Sequence, residues 1–176
     1  MKSVLISIRP QWCEKIASGK KTVEVRKSMP GLERPFKCYI YMSQGDLKDL
    51  GSYSEWIYKN RMKVIGEFVC DKIYTYYADD FVGSEDFDGT IITEPKEGEF
   101  AYWIPNQEDT CLRYLDIIAY GKGKTLYGWH ISDLKIYDKP KKLSEFISSK
   151  PKNKFKAHGD NLTRPPQSWI YVEEQK

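Results

Sequence analysis

The most chemically informative stretch of the chain is Gly19-Lys20-Lys21-Thr22-Val23-Glu24-Val25-Arg26. It predicts a lysine at a helix-to-strand turn, followed by a carboxylate and a guanidinium two residues apart on one strand face, because side chains alternate along an extended chain. Arg presents a fork of donors and a carboxylate accepts from N–H or O–H groups, so Lys21, Glu24 and Arg26 can hold a planar polar ligand. They can also do chemistry. A cation such as Arg26 lowers the pKa of a neighbouring ammonium, which makes Lys21 a candidate base or nucleophile with Glu24 beside it. The same pattern also fits a solvated ladder of ion pairs, the commoner use of such residues on a strand. Cys13, Cys38, Cys70 and Cys111 stand apart in the sequence, and the histidines are His130 and His158. That spacing matches no zinc or redox motif, so neither a metal nor a cofactor is expected, and unpaired thiols fit a reducing cytoplasm.

Several elements must position these groups. The run 4–8 is rich in β-branched residues and reads as a buried strand. Pro10 then suits the first turn of a helix with Trp12, Cys13, Ile16 and Ala17 on its apolar face, and Gly19 is a natural stop. In the motif strand, Val23 and Val25 are expected to face the core, with Thr22, Glu24 and Arg26 opposite. Further strands are expected at 38–42, 100–104, 126–137 and 168–172, and one or two over 63–77 with Gly66 as a bulge. Leu112, Leu115, Ile118 and Ala119 mark a second amphipathic helix closed by Gly121 and Gly123. Residues 44–61 read as an insertion with a helical turn near 55–59. Many strands, two short helices and no regular βαβ alternation predict an α+β fold, a small mixed barrel with helices outside it.

The 176 residues, 40% hydrophobic and 30% charged, suit one soluble domain over 1–176. No segment approaches the roughly 20 apolar residues of a membrane span, and the run 4–8 is too short for a signal peptide, so a cytoplasmic protein is expected. The net charge of +3 names no partner, but its distribution is uneven. Residues 79–99 are strongly acidic and read as an exposed loop that repels nucleic acid, or as a docking surface for a protein partner. Residues 139–164 are strongly basic. Lys150, Lys152, Lys154, Lys156 and Arg164 fit a path along a phosphate backbone, and also fit a lysine-rich solvated loop. Among the aromatic residues, Trp169 and Tyr171 share strand parity, as a stacking face or as core. Trp129 and His130 are neighbours on a strand, so only one of them can face a cleft. Trp12 reads as core.

The motif stretch resembles the G-x-K-x-x-E-x-R signature of the ASCH domain family, a branch of the PUA-like superfamily, with its fixed positions at Gly19, Lys21, Glu24 and Arg26. Its surroundings are similar to that family's pattern: Ser7-Ile8-Arg9-Pro10 before the helix, Tyr39-Ile40-Tyr41 after the motif, Gly128-Trp129-His130-Ile131 late, and the ending Arg164-Pro165-Pro166-Gln167-Ser168-Trp169-Ile170-Tyr171. The resemblance covers nearly the whole chain and is weakest over 46–60 and 79–98. It implies a PUA-like mixed β-barrel with short flanking helices, and a cleft between the first helix and the motif strand. The implied ligand is RNA or a nucleotide-like molecule. Arg9 and Gly19 then join Lys21, Glu24 and Arg26 as expected ligand-binding residues, with Trp129, Trp169 and Tyr171 as aromatic partners.

Two enzymatic branches of that family offer alternatives. One removes the acetyl group from N4-acetylcytidine with a lysine, a threonine and a glutamate. Its lysine matches Lys21, but Glu24 stands where its threonine falls, and its glutamate lies outside the motif. The other is a ribonuclease branch, for which Lys21, Arg26 and His130 or Tyr171 are the candidates for base and cations. Members with extra cysteines near the C-terminal loop suggest a metal site, whereas here no cysteine follows Cys111. The leading expectation is an RNA- or nucleotide-binding domain. A hydrolase comes second and a protein-interaction module in a regulatory complex third.

Overall fold

Strand β1 (Lys2–Ile8) is apolar on both faces because it runs through the middle of a sheet that is covered on both sides. Val4, Ile6 and Ile8 point into the main core, and Leu5 joins a second core behind the sheet. The computed structural model describes residues 2–76, 107–150 and 159–175. In it, β1 lies between β3 (Phe36–Met42), to which it is parallel, and β8 (Trp169–Glu173), to which it is antiparallel. With β4 (Val64–Cys70) and β7 (Ser132–Lys141) they form a five-stranded sheet of order β7-β4-β3-β1-β8. A separate three-stranded antiparallel sheet has the order β2-β6-β5, from Val23–Arg26, Leu126–His130 and Ile73–Tyr76.

The main core gathers residues from both sheets. Trp129 of β6 packs edge-on against Phe36 of β3 at 5.9 Å and in a tilted arrangement against Trp169 of β8 at 6.1 Å. Helix α1 (Pro10–Ala17) seals this layer with Cys13 and Ile16, and Ile57 of α2 (Glu55–Asn60) adds to it. On the outer side of the small sheet, Val25, Tyr76 and Leu126 pack with Ile117 of α4 (Tyr114–Gly121).

The α+β class, the strands and the short flanking helices match the sequence reading, but no ladder among the described residues closes the sheets into one barrel. The cause lies in residues 126–137, expected as a single strand. The chain breaks at Ile131, whose N–H donates to the Thr22 carbonyl at 2.8 Å, and Asp133 is left-handed at φ 47°. β6 therefore stays in one sheet and β7 enters the other. Residues 63–77 divide into β4 and β5, and the β4–β7 register slips on either side of Gly66, where a side chain would run into the Lys135 carbonyl.

Other segments add detail to the sequence reading or change it. The helix at 112–121 was expected to bury Leu112, Leu115, Ile118 and Ala119. Instead it starts only at Tyr114, after the left-handed Cys111 (φ 54°), so Leu112 precedes it and sets no helical phase. Ile117 is buried and Leu115 is 71% exposed. Residues 44–61 hold the expected helical turn as α2, where Ser54 accepts from the Ile57 N–H at 3.3 Å and so seats Ile57 in the core. Within 139–164, Phe146 and Leu162 are buried under the large sheet, so this segment builds the second core as well as carrying lysines. The acidic residues 79–99 and the strand at 100–104 lie outside the described residues.

Trp129 is fully buried and its Nε1 has no partner among the described residues, so its role is packing and not ligand contact. Trp129→Ala is expected to cost about 3–5 kcal/mol in urea-induced unfolding. Trp129→Phe should cost clearly less, because no hydrogen bond is lost. Equal losses for the two variants would contradict this role.

Candidate functional site

The turn after α1 delivers the motif. Gly19 adopts φ 74°, which closes the helix and lets the N–H groups of Lys20 and Lys21 both donate to the Lys15 carbonyl, at 2.9 and 3.1 Å. Thr22 is then clamped by Asp109 of α3 (Gln107–Thr110). Its N–H donates to the Asp109 carbonyl at 2.9 Å and its hydroxyl to the carboxylate at 3.0 Å. Lys21 is thereby fixed at the start of β2.

Alternation along β2 has the predicted parity, with a different consequence. Val25 faces α4, while Glu24 lies in register with Trp129 on the side turned toward the large sheet. The charged face is the inner one. Lys21, Glu24 and Arg26 are 2%, 6% and 9% exposed, which removes the reading of a solvated ladder. The two cations share the one carboxylate instead. Glu24 Oε2 lies 3.5 Å from Lys21 Nζ, and Oε1 accepts from Arg26 Nη2 at 3.0 Å. Lys21 Nζ donates to the Thr110 carbonyl at 2.5 Å and lies 5.3 Å from the centre of the Trp12 ring. Arg26 Nη2 also donates to the Ser7 carbonyl of β1 at 2.6 Å, so the guanidinium bridges the two sheets.

This cluster floors a cavity of about 740 Å³. Trp12 and Arg9 of the α1 segment form one side, Leu112, Asp116 and Tyr120 another, and Pro165-Pro166-Gln167 a third. Arg9, Lys21 and Arg26 outnumber Glu24 and Asp116, so the cavity is net positive. Burial pulls the Lys21 ammonium below the usual lysine range; Glu24 acts against that pull and Arg26 adds to it. Cys13 is no nucleophile: burial, and then Glu24, push its thiol well above the ordinary range. Cys38 is likewise raised by burial, and Cys70 is pushed up to about 12, mainly by burial.

The expected site residues therefore separate. Arg9, Lys21, Glu24 and Arg26 meet at the cavity, and Gly19 shapes the turn without lining it. Trp129 is core. Trp169 and Tyr171 are structural too: Trp169 Nε1 donates to the Ser28 hydroxyl at 3.0 Å, and the Tyr171 hydroxyl accepts from the Gly31 N–H at 2.8 Å. They hold the β2–β3 loop in place and do not line the cavity. His130 follows the inward Trp129 and so points to the other face, where Nδ1 pairs with Asp71 Oδ1 at 2.6 Å. Lys150 and Arg164 are exposed, and Lys152, Lys154 and Lys156 lie outside the described residues. The sequence reading missed Trp12 and Tyr120 as cavity walls. Lys15, one helical turn from Trp12 and 4.9 Å from its ring, was a signal that this edge of α1 is wet.

The cluster makes an asymmetric prediction. Glu24→Gln leaves two buried cations facing each other and is expected to cost about 3–5 kcal/mol in urea unfolding, whereas Lys21→Met removes a charge that burial already disfavours and should cost less. The Lys21 proton is held less tightly in the folded than in the unfolded chain. Wild type should therefore gain stability relative to Lys21→Met as pH rises through the folded pKa toward the ordinary value of 10.5. A difference that is flat or falling over that window would overturn the assignment.

No family model and no curated protein matches the chain. Its fold does match solved structures. The ASCH protein from Zymomonas mobilis superposes with a TM-score of 0.57 at 18% identity, covering 98% of this chain and 88% of that one. Tyr-to-Phe and Ser-to-Ala variants of the same protein give TM-scores of 0.58 at 17% identity, the former covering 99% and 92% of the two chains and the latter 98% and 89%. The strand order, the helix before the motif strand and this likeness over nearly the full length agree that the chain has the fold of an ASCH domain protein.

Proposed function

We propose that the protein binds RNA, or a nucleotide derived from it, in the cavity floored by Lys21, Glu24 and Arg26. One observation carries the reading: a net positive cavity of nucleotide size has a buried cluster of two cations around one carboxylate as its floor and two aromatic side chains, Trp12 and Tyr120, in its walls. Glu24 accepts from the N–H edge of a base, Arg26 donates to acceptors beside it, and the aromatic walls favour a flat heterocycle. Arg164, exposed and next to the wall residue Pro165, stands where a strand leaving the cavity would carry its phosphates. The PUA-like barrel remains the architecture that this reading favours for the whole chain.

Fluorescence anisotropy of a labelled single-stranded RNA tests the reading. Affinity is expected to fall linearly in log salt, with a slope of about −0.7 for each phosphate neutralised. Lys21→Met and Arg26→Gln, each checked for a folded spectrum, should weaken binding by about tenfold or more. Neither RNA nor nucleotides binding at low salt would refute it.

A hydrolase acting on a modified nucleoside is the second reading, favoured by the lowered proton affinity of Lys21 within contact distance of Glu24. In that case turnover of an N-acylated nucleoside should rise with pH to a midpoint below 10.5 and fall by roughly 10²-fold or more in Lys21→Met. A variant with near-wild-type turnover would exclude Lys21 as the reacting group.

A further inference from the structure

Helix α2 and the turn after it carry a second feature, outside the cavity. Two large apolar side chains stay exposed there, Tyr58 at 44% and Met62 at 55%. The Arg61 guanidinium sits over the Tyr58 ring, 5.0 Å from its centre, and Tyr53 meets Tyr58 edge-on at 6.3 Å. Residues 56–63 contain Lys59, Arg61 and Lys63 and no acidic residue. The Lys63 ammonium donates to the Lys59 carbonyl at 2.8 Å, which ties it to the same turn. An exposed ring with a guanidinium stacked on it, set among cations, suits both the bases and the phosphates of a single strand.

Met62 supplies an independent observation. It is left-handed at φ 61°, a costly conformation for a residue with a long side chain. Two backbone bonds hold it there: the Met62 N–H donates to the Met42 carbonyl at 2.8 Å, and the Met42 N–H to the Lys63 carbonyl at 2.9 Å. Glycine would relieve the strain without loss of core, because the Met62 side chain is exposed. Stability therefore gives no reason for a methionine at this place, whereas an exposed contact surface does.

The same bonds locate the turn. Met42 directly precedes Ser43, which lines the cavity. Tyr53 joins the two from the other side: any side chain at Gly45 would run into the Tyr53 hydroxyl and into Pro10, the neighbour of the cavity residue Arg9. The α2 face thus continues from the edge of the cavity where Arg9 and Ser43 stand.

We propose that Tyr58, Lys59, Arg61 and Met62 form a platform for single-stranded RNA, which takes the part of the strand next to the nucleotide in the cavity. The platform deepens the RNA reading above and rests on it. A base packs against Tyr58 and Met62, and Lys59 and Arg61 meet the phosphates. It commits the protein to a polymer, because a free nucleotide in the cavity does not extend to α2.

The test compares a labelled single-stranded RNA of about ten nucleotides with ribonucleoside 5′-monophosphates. The RNA is followed by fluorescence anisotropy and the monophosphates by calorimetry, on the full chain and on variants with a native spectrum. Tyr58→Ala is expected to weaken RNA binding about fivefold or more, the lower end of one stacked base, and Tyr58→Phe to restore it. Arg61→Gln should lower the salt slope by about 0.7, one phosphate contact. Monophosphate affinity should not change in either variant. RNA binding that is lost in Lys21→Met but unchanged in Tyr58→Ala and Arg61→Gln would overturn the platform and leave the RNA reading standing. The reverse pattern, loss in Tyr58→Ala with Lys21→Met binding as tightly as wild type, would keep the platform and take the cavity off the RNA path. RNA binding unchanged by Tyr58→Ala, together with a dimer that this variant dissociates in sedimentation velocity, would overturn the platform and give the face to a second copy of the chain. No RNA binding at low salt would overturn the platform, and monophosphate binding would then decide whether the nucleotide reading survives.

Discussion

A carboxylate held between two cations in the layer between two sheets is the interaction on which the rest of this structure depends. Glu24 could not be buried beside Trp129 alone, since desolvating one carboxylate costs several kcal/mol. Lys21 and Arg26 meet one oxygen each, and each also donates to a backbone carbonyl, Lys21 to Thr110 and Arg26 to Ser7. Those two carbonyls belong to different parts of the fold, the α3 segment and β1. The cluster therefore fastens both to β2 while keeping a charged floor under a cavity.

The aromatic residues divide between two jobs. Phe36, Trp129 and Trp169 fill the inter-sheet layer, and Trp169 with Tyr171 anchors the loop that follows Arg26 through bonds to Ser28 and Gly31. That anchoring acts on the site at one remove, because it fixes where β2 ends and so where Arg26 points. Among the described residues, Trp12 and Tyr120 are the aromatic groups that line the cavity. An aromatic-rich chain need not present its rings to a ligand. Here Phe36, Trp129, Trp169 and Tyr171 make the rigid frame that a preorganised polar cluster requires.

The parallel pairing of β1 with β3 gives the site its other character. In a sheet otherwise antiparallel, one parallel pair brings two strand ends and a helix start to a single place. The wall made by Pro165-Pro166-Gln167 is carried there by β8, the antiparallel neighbour of β1, through the Ser7 N–H bond to the Ser168 carbonyl at 2.9 Å. Cavity and sheet are thus the same construction. A change in strand order would dismantle the site even with every side chain retained.

Much of this was legible in the residues. The helix after Pro10, its end at Gly19, the alternation of β2 and the grouping of Lys21, Glu24 and Arg26 follow from local rules: ring geometry at Pro10, a left-handed turn at Gly19 and a period of two along a strand. Those rules are blind to what lies opposite. Period two shows that Glu24 and Arg26 share a face, but only the pairing of Glu24 with Trp129 and the reach of Arg26 to Ser7 decide that this face is buried. The same limit applies to Trp129 and Trp12, expected as ligand partner and as core and found in core and cavity wall, and to Leu112, whose helical phase was lost at a left-handed Cys111. Local conformation is set by each residue's own backbone and neighbours, whereas burial is set by segments far away in sequence, so the chain by itself determined the parts of the site and the tertiary structure decided their setting.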